Sequence, residues 1–197
     1  MNKSKILSEI LKDAKNEQFV KNSTLASLEW NRKKIKSLFE DKTYRIKDTN
    51  TFTFNYGVGE LYLFQYSPKY KKELPYYDRY PLCLIIGGSP GGFLGLNLHY
   101  LRPTQRAQFM KALYKFEEYS ESDDSKIINI EYSDLVSSVA LRYYKPCLKK
   151  YLLDHIVANP FYRVPRDEWN MTIFLPTQRF VKETDANVWR DSAKLIK

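Results

Sequence analysis

The sequence predicts an α+β fold: a small curled antiparallel sheet interrupted by helices, behind an N-terminal helical arm. Three observations carry this expectation. Near Val58 the apolar period changes from helical to strand-like. A glycine-rich turn, Gly87-Gly88-Ser89-Pro90-Gly91-Gly92, joins two apolar runs. The helical patterns then fall between the third and fourth strands instead of after every strand, which argues against an alternating β-α-β series.

The arm comes first. Residues 3–18 place Ile6, Leu7, Ile10, Leu11 and Ala14 on one helical face, and residues 24–40 repeat the design with Leu25, Leu28, Ile35, Leu38 and Phe39 after a Ser23 or Thr24 cap. Residues 41–57 lack a helical period and form a connector. The predicted boundaries are 1–56 for arm and connector, 57–180 for the sheet domain with its helical insertion, and 181–197 for a basic, polar C-terminal tail. The arm's apolar stripes need the domain or a partner to cover them.

In the domain, Gly59 to Tyr66 reads as a strand that Ser67-Pro68-Lys69 ends. Leu82 to Ile86 is apolar on both faces and therefore central. Phe93 to Leu101 alternates, with Leu94, Leu96, Leu98 and Tyr100 on one face and Gly95, Asn97 and His99 on the other. A helix opens at Arg102-Pro103-Thr104, with Thr104 as its cap and Phe109, Met110, Leu113 and Phe116 as its buried stripe. A short strand over 127–132, helices over 133–143 and 146–158, and strands over 161–164 and 171–175 follow. The second of those helices carries Leu148, Tyr151, Leu152, His155 and Ile156 as its stripe. The barrel interior is expected to draw on Leu61, Leu63, Leu82, Leu84, Ile86, Leu94, Leu96, Leu98, Ile173 and Leu175.

Composition narrows the function. The formal net charge of +9 is spread along the chain without a basic block, a pattern that suits phosphate contact without sequence reading. No apolar run approaches the roughly 18 residues that cross a bilayer, and the charged first segment does not read as a secretory leader. A soluble protein that is not exported, without a membrane partner, is expected. The two cysteines, Cys83 and Cys147, lack metal-ligand spacing and are expected to be core thiols.

Motifs for nucleotide hydrolysis, metalloprotease or serine hydrolase chemistry and dinucleotide binding are absent from the sequence, so neither an enzyme nor a cofactor is expected. The run Gly87 to Gly92 precedes a strand and not a helix, which makes it a hairpin turn and not a phosphate cradle. His155 is expected on a buried helical stripe. His99 shares a strand face with Asn97 and Gly95, near Arg102 and within reach of Arg79 or Asp78, and the outer, solvated side is its expected place.

Binding residues stand out by composition. The loop from Tyr66 to Tyr80 interleaves tyrosines with Lys69, Lys71, Lys72 and Arg79, and its Tyr70, Tyr76 and Tyr77 could stack on exposed bases while the cations meet phosphates. Arg142, Tyr143, Tyr144, Lys149 and Lys150 have the same composition. Tyrosine and arginine are also enriched at protein contacts, so protein and nucleic acid remain alternatives for all twelve positions.

Two resemblances bear on this. Gly59 to Tyr66, Arg79-Tyr80-Pro81, Leu82 to Ile86 and Phe93 to Leu101 resemble the opening of an SH3-like small barrel of the growth-inhibitor endoribonuclease toxin type. That resemblance implies an SH3-like small antiparallel barrel. Separately, GELYLFQYSPKYKKELPYYDRYPLCLII, GGFLGLNLHYLRPTQR, KPCLKKYLLDHI, EWNMTIFLPTQRF and VWRDS are similar to small proteins of contractile-tailed bacteriophages, over about residues 57–192. This implies a non-enzymatic virion or assembly component that docks to other virion proteins in a hetero-oligomeric assembly, first in the host cytoplasm and then in the virion. The alternatives are a DNA-binding packaging or DNA-end-protecting factor, with DNA as partner, and a small-barrel endoribonuclease with Arg79 and His99 as its charged pair.

Overall fold

The computed structural model describes residues 52–53, 56–119, 126–157 and 161–196. The expected arm helices and most of the connector lie outside the described residues. The strands are β1 (Phe52–Thr53), β2 (Leu61–Leu63), β3 (Tyr77–Asp78), β4 (Leu82–Ser89), β5 (Gly92–Asn97), β6 (Glu117–Tyr119), β7 (Lys126–Ile128), β8 (Leu148–Leu152), β9 (Phe161–Arg163) and β10 (Phe180–Val181). The helices are α1 (Pro103–Leu113), α2 (Tyr132–Ser137), α3 (Tyr144–Cys147), α4 (Trp169–Thr172) and α5 (Asp185–Leu195). Six strands form one antiparallel sheet in the order β1-β9-β2-β4-β5-β8, and β3 with β10 and β6 with β7 form two small ribbons. The sheet is open: among the described residues no pairing joins β1 to β8 to close a barrel.

The central strand is β4, as its two apolar faces require. Leu82 and Leu84 face an aliphatic core that holds Leu61, Leu96, Leu98 and, from α1, Phe109, Met110 and Leu113. Cys83 and Ile85 face a second core of Tyr62, Phe64, Tyr66, Phe93 and Tyr151. The β4–β5 hairpin closes on Pro90-Gly91, between the paired Ser89 and Gly92. Proline supplies the first central residue of that turn and Gly91, at φ 70°, the second, which is the demand of a type II turn. Of the expected interior, Leu61, Leu82, Leu84, Leu96, Leu98, Ile173 and Leu175 are buried, whereas Leu63, Ile86 and Leu94 are half-buried.

Five expectations about elements are corrected. Residues 148–152, expected inside a helix over 146–158, form β8 along the otherwise open edge of β5, with Leu96 opposite Leu148 and Gly92 opposite Leu152. The unpaired backbone groups of a strand edge outweigh a helical period, and Gly92 permits the approach: a Cβ there would lie 1.8 Å from the Tyr151 carbonyl oxygen. The expected strand over 171–175 is instead the end of α4 at Thr172 and a turn over 173–174, where Trp169 anchors the segment by an indole bond to Val164 O (2.9 Å) and Arg106 takes the carbonyls of Ile173 and Leu175. The strand expected to run to Leu101 ends at Asn97, whose side chain accepts from His99 N–H (3.0 Å) and starts a 3-10 turn over Leu98–Tyr100. In α1, Pro103 is the first helical residue and Gln105 reaches back to Arg102 N–H (3.2 Å), so Thr104 is not the cap. Residues of the expected tail form α5, capped by Thr184 and packed through Val188 and Ser192.

Candidate nucleic-acid interface

A groove of about 640 Å³ opens where the aromatic face of the sheet meets the loop between β2 and β3. Its loop wall carries Lys69, Tyr70, Tyr76 and Tyr77, and its sheet wall carries Lys149 and Lys150 from β8. Tyr66 and Tyr151 line it as well, and belong to the aromatic core. The loop is held in shape by turns, with Glu73 N–H and Leu74 N–H both donating to Tyr70 O (2.9 and 3.0 Å). Lys182, at φ 75°, donates from Nζ to Lys72 O (2.8 Å) and Leu74 O (2.7 Å), clamping the loop from the far ribbon.

The groove lining carries three lysines, Lys69, Lys149 and Lys150, against one carboxylate, Asp78. Lys149 Nζ lies 4.1 Å from the centre of the Tyr100 ring, and Lys69 Nζ lies 5.5 Å from that of Tyr70. Burial pulls the Lys149 ammonium below the ordinary lysine value, against an opposite pull from Cys147. Among the described residues no carboxylate forms an ion pair with Lys69, Lys149 or Lys150. A cation desolvated by burial and unpaired with any carboxylate among the described residues is suited to an incoming anion.

Behind the groove lies a buried polar network. Asp78 accepts from His99 Nδ1 (2.7 Å), Asn97 Nδ2 (3.1 Å), Tyr80 N–H (3.0 Å) and Arg179 N–H (3.2 Å). Burial alone would raise its pKa, but His99 and these donors hold the carboxyl below its ordinary value. Burial pulls the His99 imidazole down, against Asp78, so the ring is neutral near pH 7. The carboxylate can only accept, which puts the proton on Nδ1 and leaves Nε2 to accept from Thr177 Oγ1 (3.2 Å). Asn97 also donates to Tyr151 Oη (3.1 Å), and Trp189 of α5 donates to His99 O (2.9 Å).

A hydroxyl, an imidazole and a carboxylate in series resemble the order of a nucleophilic triad. The burial does not suit one: His99 is 0% exposed, and the groove lining reaches Asp78 but neither His99 nor Thr177. The series fastens the 177–179 segment and α5 to the sheet. Arg106, also 0% exposed, does the same from α1. It donates to Leu101 O (2.8 Å), Ile173 O and Leu175 O (3.3 Å each) and Gln178 Oε1 (3.1 Å), and burial lowers its pKa to about 10, which leaves it cationic at neutral pH.

The structure thus brings Lys69, Tyr70, Tyr76, Tyr77, Lys149 and Lys150 together. Lys71, Lys72 and Arg79 are exposed but outside the lining, and Arg79 uses its backbone to accept from Tyr66 N–H and donate to Arg179 O (2.9 Å each). Arg142, Tyr143 and Tyr144 lie elsewhere: Tyr143 is buried against Phe109 and donates to Gln108 (2.6 Å), with the Arg142 guanidinium over its ring. Two expectations about histidines are corrected. His99 is enclosed and not solvated, because the 3-10 turn swings it inward. His155 is on no helical stripe but in a turn after β8, half-buried and bonded to Ser67 O (3.0 Å). Cys83 and Cys147 are both buried free thiols. Sequence reasoning missed Arg106, Asn97 and Lys182, whose polar types gave no signal of burial or clamping. Among the described residues no group of side chains could hold a metal ion, and no helix is long and apolar enough to cross a membrane.

The described residues thus define an α+β protein whose open sheet bears a groove lined by lysines and tyrosines. Residues 20–192 match the family model of the phage T4 terminal DNA protecting protein. That span is most of the chain, and the chain belongs to this family, which places it among phage proteins that handle DNA. Neither a curated protein nor a solved structure matches it. The family favours the DNA-end-protecting alternative over docking to virion proteins.

Proposed function

We propose that the chain binds the ends of phage DNA through the groove and shields them from exonucleases, acting by occupancy and not by catalysis. The observation that carries this reading is the convergence of Lys69, Lys149 and Lys150 with stackable tyrosines on one concave surface. Membership of a family described by terminal DNA protection supports it. Enclosure of His99 supports the non-catalytic part, and the reading does not need a closed SH3-like barrel.

The test is an exonuclease challenge of linear DNA with the full chain present. Degradation from the ends should slow, and the combined variant Lys69→Gln, Lys149→Gln, Lys150→Gln should lose most of that protection while staying folded. Its affinity should also depend less on salt, the slope of log K against log[salt] falling by about 0.9 for each phosphate that the variant no longer neutralises. Equal degradation with and without the wild-type chain refutes the reading.

A second reading, docking to virion proteins in a contractile-tailed particle, has one observation in its favour. Tyr132 and Val136, each 57% exposed, stand one turn apart on α2, and Val139, 88% exposed, begins the 3-10 turn that follows it. The two readings are compatible: a DNA-end protein made in the host cytoplasm would enter the virion with its DNA and be held in a hetero-oligomeric assembly there. Purified particles should then contain the chain, and Val136→Lys with Val139→Lys should deplete it from them without loss of end protection in solution. Particles that retain the variant in full would refute docking through this face.

A further inference from the structure

We infer that the groove takes an unpaired nucleotide at the DNA terminus and leaves the duplex outside, an inference that rests on the end-binding reading above. The size of the groove comes first. At about 640 Å³ it lies within the range of pockets for single small molecules, about 300–1,000 Å³. One or two nucleotides enter such a space, whereas a duplex, with its paired bases between two charged strands, does not.

The lining fits the face of a base, which is available only when the base is unpaired. Tyr70 is 54% exposed, and Tyr76 and Tyr77 are half-buried beside it. Tyr76 is itself held, its ring centre 6.2 Å from those of both Tyr100 and Phe180. Deeper in, Tyr66 Oη accepts from Leu152 N–H (3.2 Å) and Tyr151 Oη from Asn97 Nδ2 (3.1 Å). Their hydroxyls are engaged within the protein and the two residues are 7% and 4% exposed, so they floor the groove and stacking falls to Tyr70, Tyr76 and Tyr77. Stacking of this kind tolerates every base. The cations are placed to match: Lys149, Lys150 and Lys69 border the rings on both walls, so that a phosphate can be met while its base stacks. An intact blunt end offers phosphates but has its base faces covered by stacking, except at the last pair. The expected ligand class is therefore a frayed or overhanging end of any sequence.

The test measures affinity of the full chain for four short duplexes by fluorescence anisotropy. They share a sequence and differ at the ends: blunt with G·C closing pairs, blunt with mismatched last pairs, carrying a few unpaired nucleotides, or closed by hairpin loops of an inert linker. Frayed and overhanging ends should bind about tenfold more tightly than the G·C-closed blunt end, in keeping with the worth of one stacked base. Linker-closed duplexes should bind worst. Tyr70→Ala, which removes an exposed ring outside both cores, should abolish the preference for unpaired ends. Changing the unpaired base should alter affinity by less than about threefold.

Equal affinity for frayed, overhanging and G·C-closed ends, all above the linker-closed duplex, overturns the inference and leaves end binding intact. Linker-closed duplexes that bind as well as open ones overturn end binding itself. An unaltered preference in Tyr70→Ala, with folding confirmed by circular dichroism, overturns the assignment to this groove.

Discussion

The two faces of the sheet are built from different materials. One is aliphatic and covered by helices, with Leu61, Leu82, Leu84 and Leu96 set against Phe109, Met110 and Leu113. The other is aromatic, with Phe64, Phe93 and Tyr151 packed ring to ring at 5.2–5.8 Å, and it runs on into the groove through Tyr66 and Tyr151. Aliphatic side chains have only burial to contribute. Tyrosines contribute burial and also a polar tip and a flat face, so the same residues can hold the sheet and border a ligand. The groove therefore rests on a rigid core wall on one side and on a clamped loop on the other. Damage to the aliphatic face should cost stability, and damage to the groove walls should cost binding.

The largest effect should come from Arg106. Replacing it with Leu strands the carbonyls of Leu101, Ile173 and Leu175 and the Gln178 amide oxygen, and we expect a loss of about 3–5 kcal/mol in urea unfolding. A loss under about 1 kcal/mol would show that water reaches these groups. Leu96→Ala, on the aliphatic face at 0% exposure, should cost about 2–5 kcal/mol. If it cost no more than a groove-wall variant, the division between the two faces would not hold.

The polar network predicts a pH dependence. His99 has a folded-state pKa below its unfolded value, so the unfolded chain takes up a proton first as pH falls. Stability from this group is full above the unfolded value of about 6.5 and declines below it, by no more than about 1.4 kcal/mol per pH unit. Asp78, also depressed, adds a second decline as pH falls below about 4. Denaturant midpoints from about pH 8 to about pH 3 check this, and His99→Asn should flatten the first decline. Stability that is level down to pH 4.5 would mean the imidazole titrates alike in both states. Because His99 is enclosed and bonded to Asp78, His99→Ala should weaken the fold whether or not function is touched.

How much of this was legible follows from where each signal sits. The hairpin was legible because Pro90-Gly91 dictates a turn locally, and β4 because Leu82 to Ile86 is apolar on both faces. The fate of Leu148 to Leu152 was not, since the same residues satisfy a helical period and the decision lies with the open edge of β5. His99 turned inward because Asn97 caps the next turn, a bond that the strand alternation conceals. The loop half of the groove could be read from composition, but Lys149 and Lys150 join it only through the pairing of β8. Arg106 gave no signal, because the acceptors at Ile173 and Gln178 lie 67 and 72 residues away.

The smallest effect on stability should fall at Lys149, and its sign is the informative part. Its pKa is depressed by burial, so the folded chain carries this charge at some cost, and stability from this group rises with pH toward the ordinary lysine value of about 10.4. The Tyr100 ring offsets part of that cost at 4.1 Å. Lys149→Gln should then leave the unfolding midpoint unchanged or slightly raised. In end binding the same change should act the other way, because a phosphate in the groove would relieve what burial imposes on the ammonium. Affinity should fall several-fold, and wild-type binding should weaken as pH climbs toward 10 sooner than in a variant with Lys149→Arg. A charge retained against folding, and useful only when an anion arrives, is what separates a binding wall from a core wall. Should Lys149→Gln instead unfold the protein without loss of affinity in the surviving fraction, Lys149 would belong with the core, and the groove would have to hold its ligand without it.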